Sequence, residues 1–160
     1  MARVIALTIG LVCVLLVAGC QPDEPTRLEF IERVDAICES ANDEIAALEA
    51  PDAADASEVA DVIDAIVVIQ EDELESIDDL VPPRDDRDLI RQWIESVRVA
   101  LDASKVAADA LRDGDVSASR AASDEASLAA AAADDHARSL GAMACAGSAD
   151  SALTGRDRDG

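Results

Sequence analysis

The sequence predicts an all-α protein, and more specifically an antiparallel up-down-up-down four-helix bundle with one disulfide bond. Two observations predict it. Apolar residues recur at steps of three and four in four successive stretches, and capping residues, glycine or proline separate the stretches. Because the connections are short, neighbouring helices should run antiparallel. We expect the bundle to span residues 27–147.

The first helix should begin near Arg27, because Thr26 and Glu29 form a capping box directly after a proline. Pro51 sets its limit at the other end. Its apolar residues step by three and four along one face: Ile31, Val34, Cys38, Ala41, Ile45 and Leu48, with Phe30 and Ile37 beside them. Cys38 is therefore expected to point into the core.

Asp55 and Glu58 mark the start of the second helix, which should end at Pro82-Pro83. Its apolar residues are Val59, Val62, Ile63, Ile66, Val67, Ile69, Leu74, Ile77 and Leu80. We interpret the acidic stretch that follows its middle as a solvated face rather than a calcium site, because it lacks the ligand spacing of an EF-hand loop. Its members are Glu71, Asp72, Glu73, Glu75, Asp78 and Asp79.

The third helix should start after Pro83, with three aspartates in its first turn, where carboxylates suit the helix dipole. Its inner face carries Ile90, Ile94, Val97, Leu101, Ser104, Ala108 and Leu111, with Trp93 alongside. Asp113-Gly114-Asp115 then predicts a short turn, with a glycine that ends one helix and an aspartate that caps the next. We interpret Trp93 as a core residue.

The fourth helix is expected from about Val116 to Met143 and is rich in alanine. One face carries Ala122, Ala126, Ala129, Ala133, His136, Leu140 and Met143. Small residues along a face predict a closely approached neighbouring helix. After Gly141 the pattern weakens, and the tail at 148–160 is expected to be disordered.

Residues 1–19 have the order of a secretory signal peptide: the charged Arg3, a short apolar run, and small residues before Cys20. The ending Val17-Ala18-Gly19-Cys20 resembles the lipobox of bacterial lipoproteins. That resemblance implies cleavage before Cys20 and a diacylglycerol on its sulfur. The alternative is an ordinary thiol at Cys20 after a conventional signal peptide. Residues 20–26 would form a short tether.

Two cysteines, Cys38 and Cys145, then remain in an exported and oxidising setting, where pairing is favoured. Two buried free thiols, or a metal pair completed by His136, are the alternatives. In an up-down-up-down bundle the fourth helix ends near the start of the first. Cys145 can therefore reach Cys38 if the first helix starts a few turns outside the bundle, or if the tail folds back along it.

His136 and Met143 are seven residues apart and could both face the bundle interior as ligands of a metal or haem. We favour the simpler interpretation of a core histidine and a gap-filling methionine, because the sequence has no second histidine. No cofactor is expected. Neither a catalytic serine motif nor a cleft of paired carboxylates is indicated, so we expect a protein that is not an enzyme.

The formal net charge of −22 makes binding to nucleic acid unfavourable. With one Trp, one Phe and no Tyr, the chain also lacks the parts for stacked bases or an aromatic cage. An acidic surface would instead favour a basic partner.

Together with the lipobox, two further segments resemble small, mostly uncharacterised lipoproteins of actinobacteria, the high-GC Gram-positive bacteria. They are Val34-Asp35-Ala36-Ile37-Cys38-Glu39-Ser40-Ala41-Asn42 and Leu80-Val81-Pro82-Pro83. The resemblance implies a helical domain on the outer face of the cytoplasmic membrane, anchored through Cys20. No catalytic or binding residue can be carried over from that group.

Two hypotheses on function follow from the sequence. The first is a non-enzymatic module that contacts a basic envelope protein or a wall component. The second is a carrier that holds a small ligand, a metal or haem in the bundle interior.

Overall fold

The structure, a computed structural model, describes residues 24–147, which form four α-helices and one 3-10 turn. The helices are α1 (Arg27–Ala46), α2 (Ala56–Asp78), α3 (Arg87–Arg112) and α4 (Val116–Leu140), and the turn Arg84–Asp86 leads into α3. Residues 24–147 contain no strand. The predicted all-α four-helix fold is therefore confirmed. The predicted signal peptide (1–19), Cys20 and the tail (148–160) lie outside the described residues.

The starts of α1, α2 and α4 follow the predicted capping residues. α3 begins only at Arg87, without a side-chain capping bond; Asp85 and Asp86 lie in the preceding 3-10 turn, so Asp88 alone of the three predicted aspartates lies in its first turn. At α1 the Thr26 backbone N–H donates to Glu29 Oε2 over 2.8 Å, and the Glu29 N–H donates to Thr26 Oγ1 over 3.3 Å. The Thr26 hydroxyl also donates to Glu29 Oε2, over 2.8 Å, and the bonds from the Thr26 backbone and hydroxyl to this carboxylate lower the pKa of Glu29 below its usual range. At α2 the side chain of Asp55 accepts from two backbone N–H groups, and Asp115 caps α4 by accepting from the Ala118 N–H at 2.9 Å.

The α3–α4 turn is the predicted one. Gly114 takes a φ of +72°, and the Asp115 N–H donates to the Ala110 carbonyl at 2.9 Å, which closes a Schellman motif. α3 packs against both α2 and α4, and its backbone approaches α4 closely. Small buried residues allow this approach: Ala103, Ala107, Ala108 and Ala110 on α3, and Ser119, Ala122, Ala133 and Ala137 on α4.

α4 ends at Leu140, three residues before the predicted end at Met143. Gly141 adopts a φ of +95°, and the Ala142 N–H donates to the Ala137 carbonyl at 2.9 Å. This Schellman motif turns the chain out of the helix, and both Ala137 and Ala142 are buried beside it. The weakening of the sequence pattern after Gly141 thus coincides with the glycine that terminates the helix.

The chain after α4 folds back along α1, which is the second of the two routes that would bring Cys145 to Cys38. A side chain at Gly141 would lie 3.4 Å from Ile31 Cδ1, so the turn sits directly against α1. Further along, the Ala144 N–H donates to Asp35 Oδ1 over 3.0 Å. The Cys38–Cys145 disulfide is formed, with a Cα–Cα distance of 5.2 Å.

One apolar core joins the four helices and residues 141–147, the segment after α4 that returns along α1 and is called the returning segment below. Its largest members are Phe30, Val34, Val67, Leu74, Ile77, Ile90, Trp93, Ile94, Leu101 and Leu140, together with the two bonded cysteines. Trp93 is a core residue, as interpreted from the sequence. Among residues 24–147, no helix combines the length and apolar character needed to cross a membrane.

Candidate functional site

A cavity of about 320 Å³ that is partly open to solvent lies between α2, α3 and α4. α2 and α3 supply its large apolar side chains, Ile63, Ile66, Val67, Trp93, Val97 and Leu101. α4 supplies only alanine, serine and one aspartate: Ser123, Ala126, Ser127, Ala130, Ala131, Ala133 and Asp134. Because the α4 side chains are short, they leave this space between the helices unfilled.

The volume is at the small end of the range of ligand pockets, and an apolar wall with few polar groups is typical of such pockets. Three of its polar groups are already engaged. Ser104 and Ser127 donate their hydroxyl hydrogens to the carbonyls of Ala100 and Ser123 in their own helices. Asp134 accepts from the Gly147 N–H at 2.9 Å and pairs with Arg138 at 3.3 Å.

Three polar side chains of the wall make no hydrogen bond to another residue of the described part of the chain. They are the exposed Ser123 on α4, and Gln70 and Glu73, which lie one turn apart on α2. Burial raises the pKa of the Glu73 carboxyl to about 7. Near neutral pH this carboxyl therefore exists in both its protonated and its ionised form.

Glu73 also lies beside the disulfide. A carboxylate oxygen of Glu73 and the sulfur atoms of Cys38 and Cys145 all lie within 4.8 Å of one another. This spacing would suit three metal ligands, but both sulfurs are committed to the S–S bond, which leaves the carboxyl as the one ligand-type group of the three.

The interpretation of the acidic stretch of α2 as a solvated face is wrong for Glu73. Glu71, Asp72, Glu75, Asp78 and Asp79 are exposed, whereas Glu73 is half-buried. A pattern in the sequence could have shown this. Ile66, Gln70, Glu73 and Ile77 step by four, three and four, so Glu73 occupies a position in the inner face of α2.

The candidate pair His136 and Met143 does not form an internal site. Met143 lies beyond the end of α4 and is 61% exposed, because the Gly141 turn directs the chain away from the helix axis. His136 is half-buried and is not part of the cavity wall. The favoured interpretation of Met143 as a gap-filling residue of the bundle interior is therefore wrong, and so is its placement there as a ligand.

Ion pairs between helices lie on the outside of the bundle. Arg112 pairs with Asp61 and Asp64, and Lys105 pairs with Glu71 at 2.6 Å. The hydrogen bond to Glu71 raises the pKa of Lys105, and those to Asp64 and Asp61 raise the pKa of Arg112. A depression of about 360 Å³ between α2 and α3 is lined mainly by such charged groups. Exposed pairs of this kind add little stability.

The chain matches no protein-family model, and comparisons with curated proteins and with solved structures found no similar protein.

Proposed function

We propose that the chain is a lipid-anchored, non-enzymatic binding protein on the outer face of the cytoplasmic membrane, and that its helical domain holds a small, largely apolar ligand in the α2–α3–α4 cavity. Of the two hypotheses from the sequence, this is the carrier. The cavity is the observation that supports it most directly.

The apolar wall supports the proposal. Ser123, Ser127 and Ala131 of the wall are exposed, so the space opens to solvent and its apolar side chains contact water when no ligand is bound. A bound apolar ligand would remove that surface from water, which stabilises binding by about 25 cal/mol per Å² of apolar area.

The proposal can be tested by filling the cavity from α4. Ala130 lines the cavity, whereas Ala132 on the same helix is exposed and does not. We expect Ala130→Leu to abolish ligand binding and Ala132→Leu to leave it unchanged. The chain from Gln21 onward is suitable, because it contains every described helix and the disulfide.

Two measurements apply. Native mass spectrometry of protein taken from its own producing cells would show a bound ligand as extra non-covalent mass. A panel of eight-carbon compounds, monitored by Trp93 emission, would show binding even while the natural ligand is unidentified. Trp93 is the single tryptophan of the sequence, and it lines the cavity. Absence of both extra mass and any emission change would contradict the proposal.

The interaction module remains a second candidate, supported by the acidic face of α2. Arg98 and Lys105 pair with Asp78 and Glu71, but Asp72, Glu75 and Asp79 have no ion pair to another described residue. A basic partner bound there should be released as salt rises through the screening range. Capture that is independent of salt would contradict this second candidate.

A further inference from the structure

We propose that the cavity ligand is a cationic amphiphile, whose apolar chain lies along α3 and α4 and whose ammonium group binds the carboxylate of Glu73. This inference rests on the proposed function and specifies the class of ligand. The charges and the available polar groups of the cavity wall support it.

Within the described residues, the wall contains acidic groups and no basic one. Glu73 from α2 and Asp134 from α4 are its ionisable side chains, and α3 contributes none. Cys38 from α1 and Cys145 from the returning segment face Glu73, but both are disulfide-bonded and do not titrate. Anionic head groups are therefore disfavoured in this cavity, while a cation has a partner.

The available hydrogen-bonding groups of the wall also favour Glu73 as the partner of the cation. Asp134 is already paired with Arg138 and Gly147, whereas Glu73 and Gln70 make no hydrogen bond within the described residues. An ammonium group carries several N–H donors and no acceptor. It could donate to the Glu73 carboxylate and to the Gln70 amide oxygen, and a charge-assisted hydrogen bond is stronger than one between neutral groups.

The remaining wall suits an alkyl chain rather than a flat ring. Apart from the Trp93 indole it is built from aliphatic side chains and small residues of α3 and α4. A single tryptophan cannot make an aromatic cage, so a cation must be recognised here by charge and hydrogen bonding.

The binding of a cation should depend on pH, because only the ionised carboxylate attracts it. Burial raises the pKa of Glu73 to about 7, so below that pH the carboxyl must lose a proton before an ammonium group can bind. We expect the affinity to fall about 30-fold between pH 8.5 and pH 5.5. An alkylammonium ion keeps its charge over this range, since amine pKa values are about 10.

The experiment compares n-octylammonium, 1-octanol and octanoate, which share the chain length and differ in the head group. Titrations of the chain from Gln21 onward follow Trp93 emission at about 0.15 M salt, which screens attraction to the acidic surface. We expect octylammonium to bind at least about 10-fold more tightly than octanol, and octanoate to bind most weakly. As the pH falls from 8.5 to 5.5, octylammonium should lose affinity, octanoate should gain affinity because the ionised Glu73 no longer repels it, and octanol should change least.

The variants separate Glu73 from the general acidity of the protein. Glu73→Gln keeps the size of the side chain and removes its charge, and we expect it to reduce octylammonium affinity to that of octanol. Glu75→Gln, an exposed position two residues away, should leave all three affinities unchanged.

The outcomes distinguish this inference from the function on which it rests. Equal binding of octylammonium and octanol, or octylammonium binding that survives Glu73→Gln, would overturn the cationic ligand and leave the carrier function standing. Failure of all three compounds to bind wild-type protein would overturn this inference, and together with the absence of extra mass in native mass spectrometry it would contradict the carrier function as well. The pH titration of wild-type protein decides the matter if the Glu73→Gln variant does not fold.

Discussion

Asn42 on α1 donates from Nδ2 to the carbonyl oxygen of Ala144 over 3.0 Å, although 102 residues separate them in the chain. Two turns earlier on α1, Asp35 accepts from the backbone N–H of the same Ala144. Both backbone polar groups of Ala144 are thus satisfied by α1 side chains, next to the disulfide at Cys145. The segment after α4 is therefore held to α1 by polar contacts as well as by the covalent bond.

Removal of the disulfide should destabilise the protein without abolishing the fold. The bond joins residues 107 apart, for which loop-entropy arguments give about 4–5 kcal/mol, and strain or residual structure commonly lowers this figure. We expect the double substitution Cys38→Ser with Cys145→Ser to lower the free energy of unfolding by about 2–5 kcal/mol. Urea denaturation followed by Trp93 emission measures it.

Chemical reduction of the wild-type protein is the matched control, because it breaks the same bond without replacing a residue. It should cause a loss of similar size. A loss below about 1 kcal/mol in both experiments would show that the bond constrains the unfolded chain much less than its loop length implies.

Glu73 should make wild-type stability decrease as the pH rises. Its pKa is raised by burial from 4.5 to about 7, so between these values the folded protein holds a proton that the unfolded chain has released. Its stabilising contribution is therefore complete below about pH 4.5 and is lost as the pH rises through about 7. Relative to Glu73→Gln, we expect wild-type protein to lose about 2 kcal/mol between pH 5 and pH 8.

The difference between the two proteins isolates Glu73, because all other carboxylates are common to both. Glu75→Gln serves as the control and should parallel the wild type at every pH. If wild-type protein and Glu73→Gln show the same pH dependence, the Glu73 carboxyl is solvated in solution.

Close packing in the interior should make Ala108 intolerant of larger residues. Ala108 on α3 is completely buried, so a leucine there would have to displace its neighbours. Overpacking of this kind typically costs about 1–3 kcal/mol. We expect Ala108→Leu to lose this amount in urea denaturation, and the exposed Ala132→Leu to change stability by less than about 0.5 kcal/mol.

Membrane attachment should depend on Cys20. We expect the full-length protein to fractionate with membranes and to be released by detergent, because diacylation stabilises anchoring by about 0.8 kcal/mol per buried CH₂. Cys20→Ala should not be lipidated, and mass spectrometry of the N-terminal peptide would show the difference directly. A wild-type peptide without acyl mass would contradict the prediction.

Local signals predict the helices well. Thr26, Asp55 and Asp115 cap the helices whose starts they predict, because an N-cap depends on contacts within one turn. The sequence also favours pairing of the cysteines, on the expectation of an exported and oxidising setting, although it leaves free thiols and a metal pair with His136 open; the structure forms the bond. The route of the segment after α4 cannot be predicted from the sequence, since it depends on the Gly141 turn and on contacts with distant residues of α1.

The cavity could not be predicted, because the volume left between helices depends on their separation as well as on their sequences. The alanine face of α4 indicates close approach, and α4 does approach α3 closely. Toward α2 the same short side chains leave a space. The spacing of Glu73 could have assigned it to the inner face of α2. A carboxylate is rarely buried without a partner, however, so the residue type favours a solvent-exposed position.

The ion pairs of Glu24 bear on how the domain would stand on a membrane. Glu24 pairs with Arg84 at 3.2 Å and with Arg87 at 3.4 Å. These ion pairs hold the chain against the end of the bundle at which α1 starts, before the first helix begins. If Cys20 is the anchor, four residue-to-residue steps separate it from Glu24. The tether between the lipid and the folded domain is then at most about 14 Å long. α3 starts at this end and runs for 26 residues, which places the α3–α4 turn up to about 40 Å away. An anchored domain would thus be restricted in orientation, with Arg84 and Arg87 toward the headgroups and the Asp113–Asp115 turn away from the membrane.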